Sequence, residues 1–412
     1  PEKRKKLVIY INPPYAEAAT SKTIMGTGRN RSGISKGNRY NEKFRNEIGQ
    51  AINELFALFL VRIYTELPNC RIALFSKLKM LQSSNFKRFR DFFATKLDSL
   101  FLIPSNTFDN VSGKFPIGFY IWNLAVKEKF NAIEADVYDH SGTQLPPKVV
   151  AANTEKEYVI SWLQEYYDKQ GSLIAHLRML GTDMQHKQGV YITNNLSPND
   201  LAKHLFTTIS AKNLLHSCIY VAIRHCIILT WLNDYDQFFY PNERWKIDIE
   251  FQTNCLAYML FHGHNRITAL MGTNHFIPFT EQEVNAKEKF ASHFMTDFIA
   301  GKLASQTTSN NNTLLSEQSF IPTEPLIFSA EATAVFDAGR ELWRYYHAQP
   351  GANPNASYYD IREHFQGRND KGKMNPKSED KEYMCLLANL KEAMEQLRLQ
   401  IVPKVYEYGF LS

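Results

Sequence analysis

Leu7-Val-Ile-Tyr-Ile11 is a continuous apolar run, the pattern of a strand buried in a parallel sheet. From Asn41 to Leu67 the period changes. Phe44, Ile48, Ile52, Phe56, Phe59 and Ile63 recur every three or four residues, which predicts an amphipathic helix. Arg71–Phe75 predicts a second strand. Ser84–Leu97 predicts a second helix, with Asn85 as its candidate cap and Phe86, Phe89, Phe92 and Phe93 on its apolar side. Leu97–Ile103 and Pro116–Leu124 predict two more strands around a polar turn, Ser105–Gly113. Strand, helix, strand, helix, strand, strand is an α/β order: an incomplete parallel sheet with a hairpin-like addition at its end.

Beyond residue 127 the pattern is mixed and then mostly helical. Asn131–Asp139 predicts a strand and Tyr158–Lys169 a short helix. From Ser197 the chain turns helical. Asn213–Trp231 and Asp248–Phe261 are apolar enough to cross a core, and Ser329–His347 and Ser378–Val402 read as long amphipathic helices. Ser305–Thr313 is a polar low-complexity loop, and Gln366–Lys377 a basic one. The expected division is an α/β part at 1–127, a mixed, mostly helical part at 128–325 and a helical end at 326–412.

The 47 basic and 42 acidic residues leave a net charge of +5, compatible with nucleic acid without requiring it. No apolar run reaches the length of a membrane span, and no signal peptide is visible. The cysteines, Cys70, Cys218, Cys226, Cys255 and Cys385, are odd in number and scattered, which fits a reducing cytoplasm better than a disulfide framework. The first strand begins within ten residues of Pro1, and Pro1 is not an initiator methionine, so the expectation is a fragment of a longer protein.

Asn12-Pro13-Pro14-Tyr15 follows the first strand directly. The residue types suit chemistry on an amino nitrogen conjugated to a ring, a poor nucleophile because its lone pair is delocalised. The Asn12 side-chain oxygen and the Pro13 carbonyl can accept both N–H bonds. Two prolines stiffen the loop, and Tyr15 offers a flat face for stacking. The loop that follows holds Lys22, Arg29, Arg31, Lys36 and Arg39 among Gly26, Gly28, Gly33 and Gly37. It lacks the Gly-Lys-Ser/Thr of a P-loop and reads either as a plain surface loop or as a track for a phosphate backbone.

With these parts in order, residues 5–125 resemble the catalytic half of an adenine-specific (N6) DNA methyltransferase of the Asn-Pro-Pro-Tyr class, restriction–modification type. The resemblance implies a Rossmann-like methyltransferase sheet followed by a mainly α-helical region. It also implies a flipped adenine held by Asn12 and the Pro13 carbonyl, and stacked between Tyr15 and an aromatic from the last strand pair. That aromatic is Phe108 in Asn106-Thr-Phe-Asp-Asn-Val111, or Phe115. The implied methyl donor is S-adenosylmethionine and the implied partner is double-stranded DNA. A nuclease domain or restriction–modification subunits are further possible partners. One departure stands out. No Gly-rich strand-turn with an aromatic and an acidic residue follows the motif, so most of the cofactor site is expected before Pro1 and the chain is expected to be inactive alone.

Two other functions fit the same residues: a non-catalytic DNA-binding or specificity module, and a protein glutamine N5-methyltransferase. The glutamine enzymes need no extension of this length. Elsewhere the chemistry reads as bland. His262-Gly-His264, with His225, Cys226 and Cys255, fits no zinc spacing, and the cysteines lie on apolar stretches where Cys is a small hydrophobe; no metal is expected. Asp234, Asp236, Glu250 and Gln252 lack the lysine a nuclease wants in register and read as helix-end groups facing solvent.

Overall fold

The computed structural model describes residues 6–13, 39–109, 111, 113–152, 156–303 and 320–411. They fall into two compact units. The first is built from Pro1–Lys156, Asp183–Gln185 and Leu229–Gln237, the second from Glu157–Thr182, His186–Ile228 and Phe238–Ser412. The fold is α/β with a mainly helical C-terminal region. Among the described residues no helix is long and apolar enough to cross a membrane.

The first unit holds a six-stranded sheet. Its strands are β1 (Val8–Ile11), β2 (Arg71–Lys77), β3 (Lys96–Pro104), β4 (Pro116–Asn123), β5 (Ala132–Tyr138) and β6 (Gln144–Ala151), in the spatial order β1-β2-β4-β3-β5-β6. β1 pairs parallel with β2, and β3 with β5. β4 runs antiparallel to both of its neighbours, β2 and β3. It is the hairpin-like addition, inserted between two strands that share a direction. β6 is antiparallel to β5. It carries Pro146 and Pro147, residues confined to strand edges because they cannot donate to a ladder.

One face of this sheet is covered. Ile72, Leu74, Leu100, Leu102, Tyr120 and Trp122 are buried there with Phe44, Ile48, Phe56, Phe86, Phe89 and Phe93 from the connecting helices. The single helix expected over Asn41–Leu67 is broken. It runs Arg39–Ile48, turns through Gly49–Asn53 as a tighter helical turn, and resumes as Leu55–Glu66. Gly49 has φ +58°, and a Cβ there would meet Arg88 Cδ at 2.9 Å, so the break needs glycine. The break shifts the helical register, and Phe59, expected on the apolar side, is 45% exposed. The second helix is shorter than expected, Lys87–Phe92 after a turn at Ser84–Phe86.

The second unit contains three strands that the pattern did not predict, and the last of them lies in a stretch read as helical. β7 (Ala175–Arg178), β8 (Tyr191–Thr193) and β9 (Phe206–Ile209) form an antiparallel sheet with β7 in the centre. They are three or four residues long, too short for alternation to stand out. Arg178 fastens this sheet, with Nε donating to Asp200 Oδ1 at 2.7 Å and a guanidinium N–H donating to the Gly189 carbonyl at 2.7 Å. The helices Leu214–Cys226 and Ile249–Leu260 pass through the core. Ala330–His347, Tyr358–Gln366 and Lys381–Glu407 complete the helical layer. The last helix continues past Pro403, where the pattern predicted a stop. Val405, Tyr408, Phe410 and Leu411 are all buried beyond it, and their burial offsets the backbone bond that proline removes.

Candidate functional site

β1, β2, β3 and β5 point the same way, so their carboxyl ends lie on one edge of the sheet. Asn12 and Pro13 come immediately after β1, at that edge. Open α/β sheets bind ligands outside the carboxyl ends of their strands. Asn12 is exposed and Pro13 buried.

The turn between β3 and β4 lies at the same edge. Ser105 closes it: its N–H donates to the Phe115 carbonyl at 2.9 Å, its Oγ donates to the Gly113 carbonyl at 2.9 Å, and Phe115 N–H donates to Oγ at 3.3 Å. Gly113 has φ +129°, and a Cβ there would lie 2.9 Å from the Phe115 ring. Only glycine lets the turn fold over that ring. Phe108 rests edge-on against Phe75 of β2 at 5.3 Å. Lys77 Nζ sits 5.4 Å from the centre of the Phe115 ring, within cation–π range. Both candidate stacking aromatics are half-buried and stand on the edge that Asn12 occupies.

The pattern missed an aromatic row that runs across the sheet on the face away from the helices. Phe75 pairs with Phe119, Phe119 with Phe101, and the ring centres are 4.8 and 5.0 Å apart. Tyr10 of β1 lies 6.2 Å from Phe119, and Tyr138 of β5 lies 6.1 Å from Phe101. Tyr10 is 65% exposed and Val8 61%. Each of β2, β3 and β4 contributes a single phenylalanine, Phe75, Phe101 and Phe119, so the row is not visible in any one strand's alternation.

Pro14, Tyr15, Lys22, Arg29, Arg31 and Lys36 lie outside the described residues. Arg39 begins the Arg39–Ile48 helix, and its side chain is likewise outside them.

Asp236 corrects an expectation. It faces Lys148, not solvent: Lys148 Nζ donates to both carboxylate oxygens at 2.8 and 2.6 Å, and Gln82 adds an amide N–H at 3.1 Å. Burial pushes its carboxyl pKa up, against the pull of Lys148. The pair fastens β6 to the 229–237 segment and leaves no open acidic cluster. Asp234 is buried too. So is Gln252, which donates to the Trp245 and Lys246 carbonyls at 3.0 and 2.9 Å.

In the second unit, histidines stand at two places, one fully buried and one that reaches the surface. His216 lies among Tyr166, Trp162, Trp245 and Phe320, stacked on Tyr166 at 3.6 Å. Neither of its ring nitrogens has a hydrogen-bond partner, and burial lowers its pKa to about 3. His225, His262 and His264 form a separate cluster, with one ligand nitrogen from each within 4.8 Å of the others. Burial holds all three below the usual imidazole range, His262 at about 3. Their spacing in sequence fits no zinc pattern, the reason no metal is expected from it; they meet in space because the Leu214–Cys226 helix brings His225 to the His-Gly-His turn.

No family model and no curated protein matches this chain. Among solved structures, a modification subunit of a putative type I restriction enzyme from Vibrio vulnificus is 16% identical with a TM-score of 0.23, over 40% of this chain and 32% of that one. The DrdV–DNA complex is 13% identical with a TM-score of 0.26, over 52% and 25%. The type IIL restriction-modification enzyme MmeI in complex with DNA is 10% identical with a TM-score of 0.27, over 98% and 57%. This chain therefore spans a third or less of the first two. Superpositions this loose assign no residue a role, and the site is read from its own geometry.

Proposed function

We propose that this chain carries the base-facing half of an S-adenosylmethionine-dependent DNA methyltransferase that acts on the N6 amino group of adenine, of the restriction–modification or phage-defence kind. The observation that carries this reading is the placement of Asn12-Pro13 and of the Phe108/Phe115 turn on the same carboxyl edge of one sheet.

The chemistry follows from what these groups offer. A paired adenine hides its amino group, so the base has to leave the duplex. Asn12 Oδ1 and the Pro13 carbonyl then accept its two N–H bonds and draw the nitrogen towards tetrahedral geometry. Phe108 or Phe115 stacks on the ring, with Tyr15 as the opposite face. S-adenosylmethionine supplies the methyl group as a sulfonium, and fixing the nitrogen in line with it supplies much of the rate. With the donor bound, the Asn12 and Pro13 acceptors would hold the nitrogen for transfer, and the nitrogen would then lose its proton to water. The residues here fit the acceptor side of that reaction; no Gly-rich strand-turn among them fits the donor side. Residues 128–325 are the proposed DNA-recognition or accessory region, followed by the helical region 326–412, and Lys22, Arg29, Arg31, Lys36 and Arg39 are the proposed phosphate contacts.

The test is product analysis. The chain, with the cofactor half supplied, is incubated with labelled S-adenosylmethionine and duplex DNA, and the DNA is digested to nucleosides. The expected product is N6-methyl-2′-deoxyadenosine. Label on a protein glutamine, or on neither polymer with the cofactor half supplied, contradicts the reading.

A further inference from the structure

We propose that His225, His262 and His264 form a binding site for a divalent transition-metal ion of the zinc class. His225 sits in the last turn of the Leu214–Cys226 helix, and the other two in the turn after the Ile249–Leu260 helix. That turn is held still. Asn265 Nδ2 donates to the Met259 carbonyl at 2.7 Å, His262 N–H donates to the same carbonyl at 3.1 Å, and Ile192 N–H donates to Asn265 Oδ1 at 3.0 Å.

Three features of the cluster match what a metal requires. The first is spacing. His264 Nδ1 and His262 Nε2 face each other at 3.2 Å. Two imidazole nitrogens bound at ~2.0–2.1 Å to one tetrahedral ion stand ~3.3–3.4 Å apart. The second is the outer shell. His225 Nε2 lies 2.7 Å from the Val190 carbonyl, and His264 Nε2 bonds the Gln188 side-chain oxygen. With a proton on each Nε2, both rings keep Nδ1 as the lone-pair nitrogen. Metal-bound histidines have their other ring nitrogen held in this way. The third is access, since His264 is the least buried of the three. Three protein ligands leave one position of a tetrahedral ion open to water or a small ligand.

Neighbouring cations limit the affinity, Arg266 beside His264 among them. Lys187 Nζ, on the Ile227 carbonyl at 2.8 Å, and Arg362, on the Gly263 carbonyl at 2.5 Å, both act on these imidazoles. Their charge opposes a dication, so binding is weaker than in a closed four-ligand structural site. The competing account is a hydrogen-bonded histidine chain with no ion, and it predicts a different response to the same variants.

The experiment is zinc titration of the chelator-stripped 412-residue chain by calorimetry, with cobalt(II) as a visible-spectrum probe of tetrahedral nitrogen ligation. One equivalent should bind, and the melting temperature should rise with it. His264→Ala, at the least buried position, should abolish binding while the chain remains folded. Gln188→Ala should weaken binding by about 10-fold or more, as loss of an outer-shell partner does. Lys187→Met should tighten it. No heat and no cobalt bands, or binding that His264→Ala leaves unchanged, overturns the proposal.

Discussion

The two units are finished differently. In the first, helices cover one face of the sheet, while the opposite face shows Tyr10, Phe75, Phe119, Phe101 and Tyr138 in a row with β1 largely exposed. In the second, every residue of the Leu214–Cys226 helix is buried, and even histidines are taken out of water. Chemistry aimed at an outside molecule belongs on the unfinished edge, where a side chain can be lost without opening the core. Polar groups in the finished interior are bound up with folding. Substitutions at the carboxyl edge of the first sheet should therefore cost function, and those inside the second unit should cost stability.

The largest effect expected is in the second unit's response to acid. His216 is neutral in the fold with a pKa of about 3, lowered first by burial and then by Lys246, against ~6.5 in the unfolded chain. Unfolding takes up a proton below about pH 6.5. The stability contributed by the neutral ring is complete above that pH and is lost as pH falls towards the folded value, at about 1.4 kcal/mol per pH unit. Denaturant titrations of the parent and of His216→Phe across this window should show a shallower slope in the variant by about one proton. Parallel slopes would place His216 in water.

Gly339→Ala comes next. Its added Cβ would lie 2.2 Å from the Phe261 ring, and overpacking of this kind costs about 1–3 kcal/mol. Chemical denaturation should show it. An unchanged midpoint would mean that the Ala330–His347 helix moves freely against Phe261. Phe108→Ala is the counterpart on the open edge. Stability should fall by no more than about 1 kcal/mol, the worth of one aromatic pair. DNA turnover should fall by about 10-fold or more if Phe108 stacks on the base. An equal loss in Phe115→Ala alone would move the stacking role to that ring.

The smallest effect concerns the loop after the motif. Replacing Arg29, Arg31 and Lys36 by Ala should weaken DNA binding alike for all sequences. It should also flatten the slope of log K against log salt by about 0.9 for each phosphate no longer neutralised. An unchanged slope would leave those side chains in solvent.

How much of this was legible follows from the length and locality of each signal. Leu7–Ile11, Arg71–Phe75, Leu97–Ile103 and Pro116–Leu124 are long apolar runs bounded by polar turns, and each is a strand in the structure. The strand-helix order suggested an addition at the end of the sheet; β4's insertion between β2 and β3 is a matter of pairing, which periodicity does not encode. The helix break at Gly49 was hidden because glycine was the only local mark of it. β7, β8 and β9 were too short to register. The candidate site divides in the same way. Asn12-Pro13 is contiguous and could be read directly, whereas the three histidines meet only because two helices bring residues 225 and 262 together.

The central claim is that Asn12 holds the amino group that receives the methyl. Its most direct test compares Asn12→Ala with the parent in the complete enzyme, measuring single-turnover methyl transfer and DNA affinity on the same preparations. Loss of a preorganised polar contact to the reacting group costs about 10²–10³ in rate, whereas affinity rests mostly on phosphate contacts. The account predicts a rate down by that factor, with DNA affinity within about 2-fold of the parent. Parental turnover in Asn12→Ala would contradict it and place the amino group elsewhere.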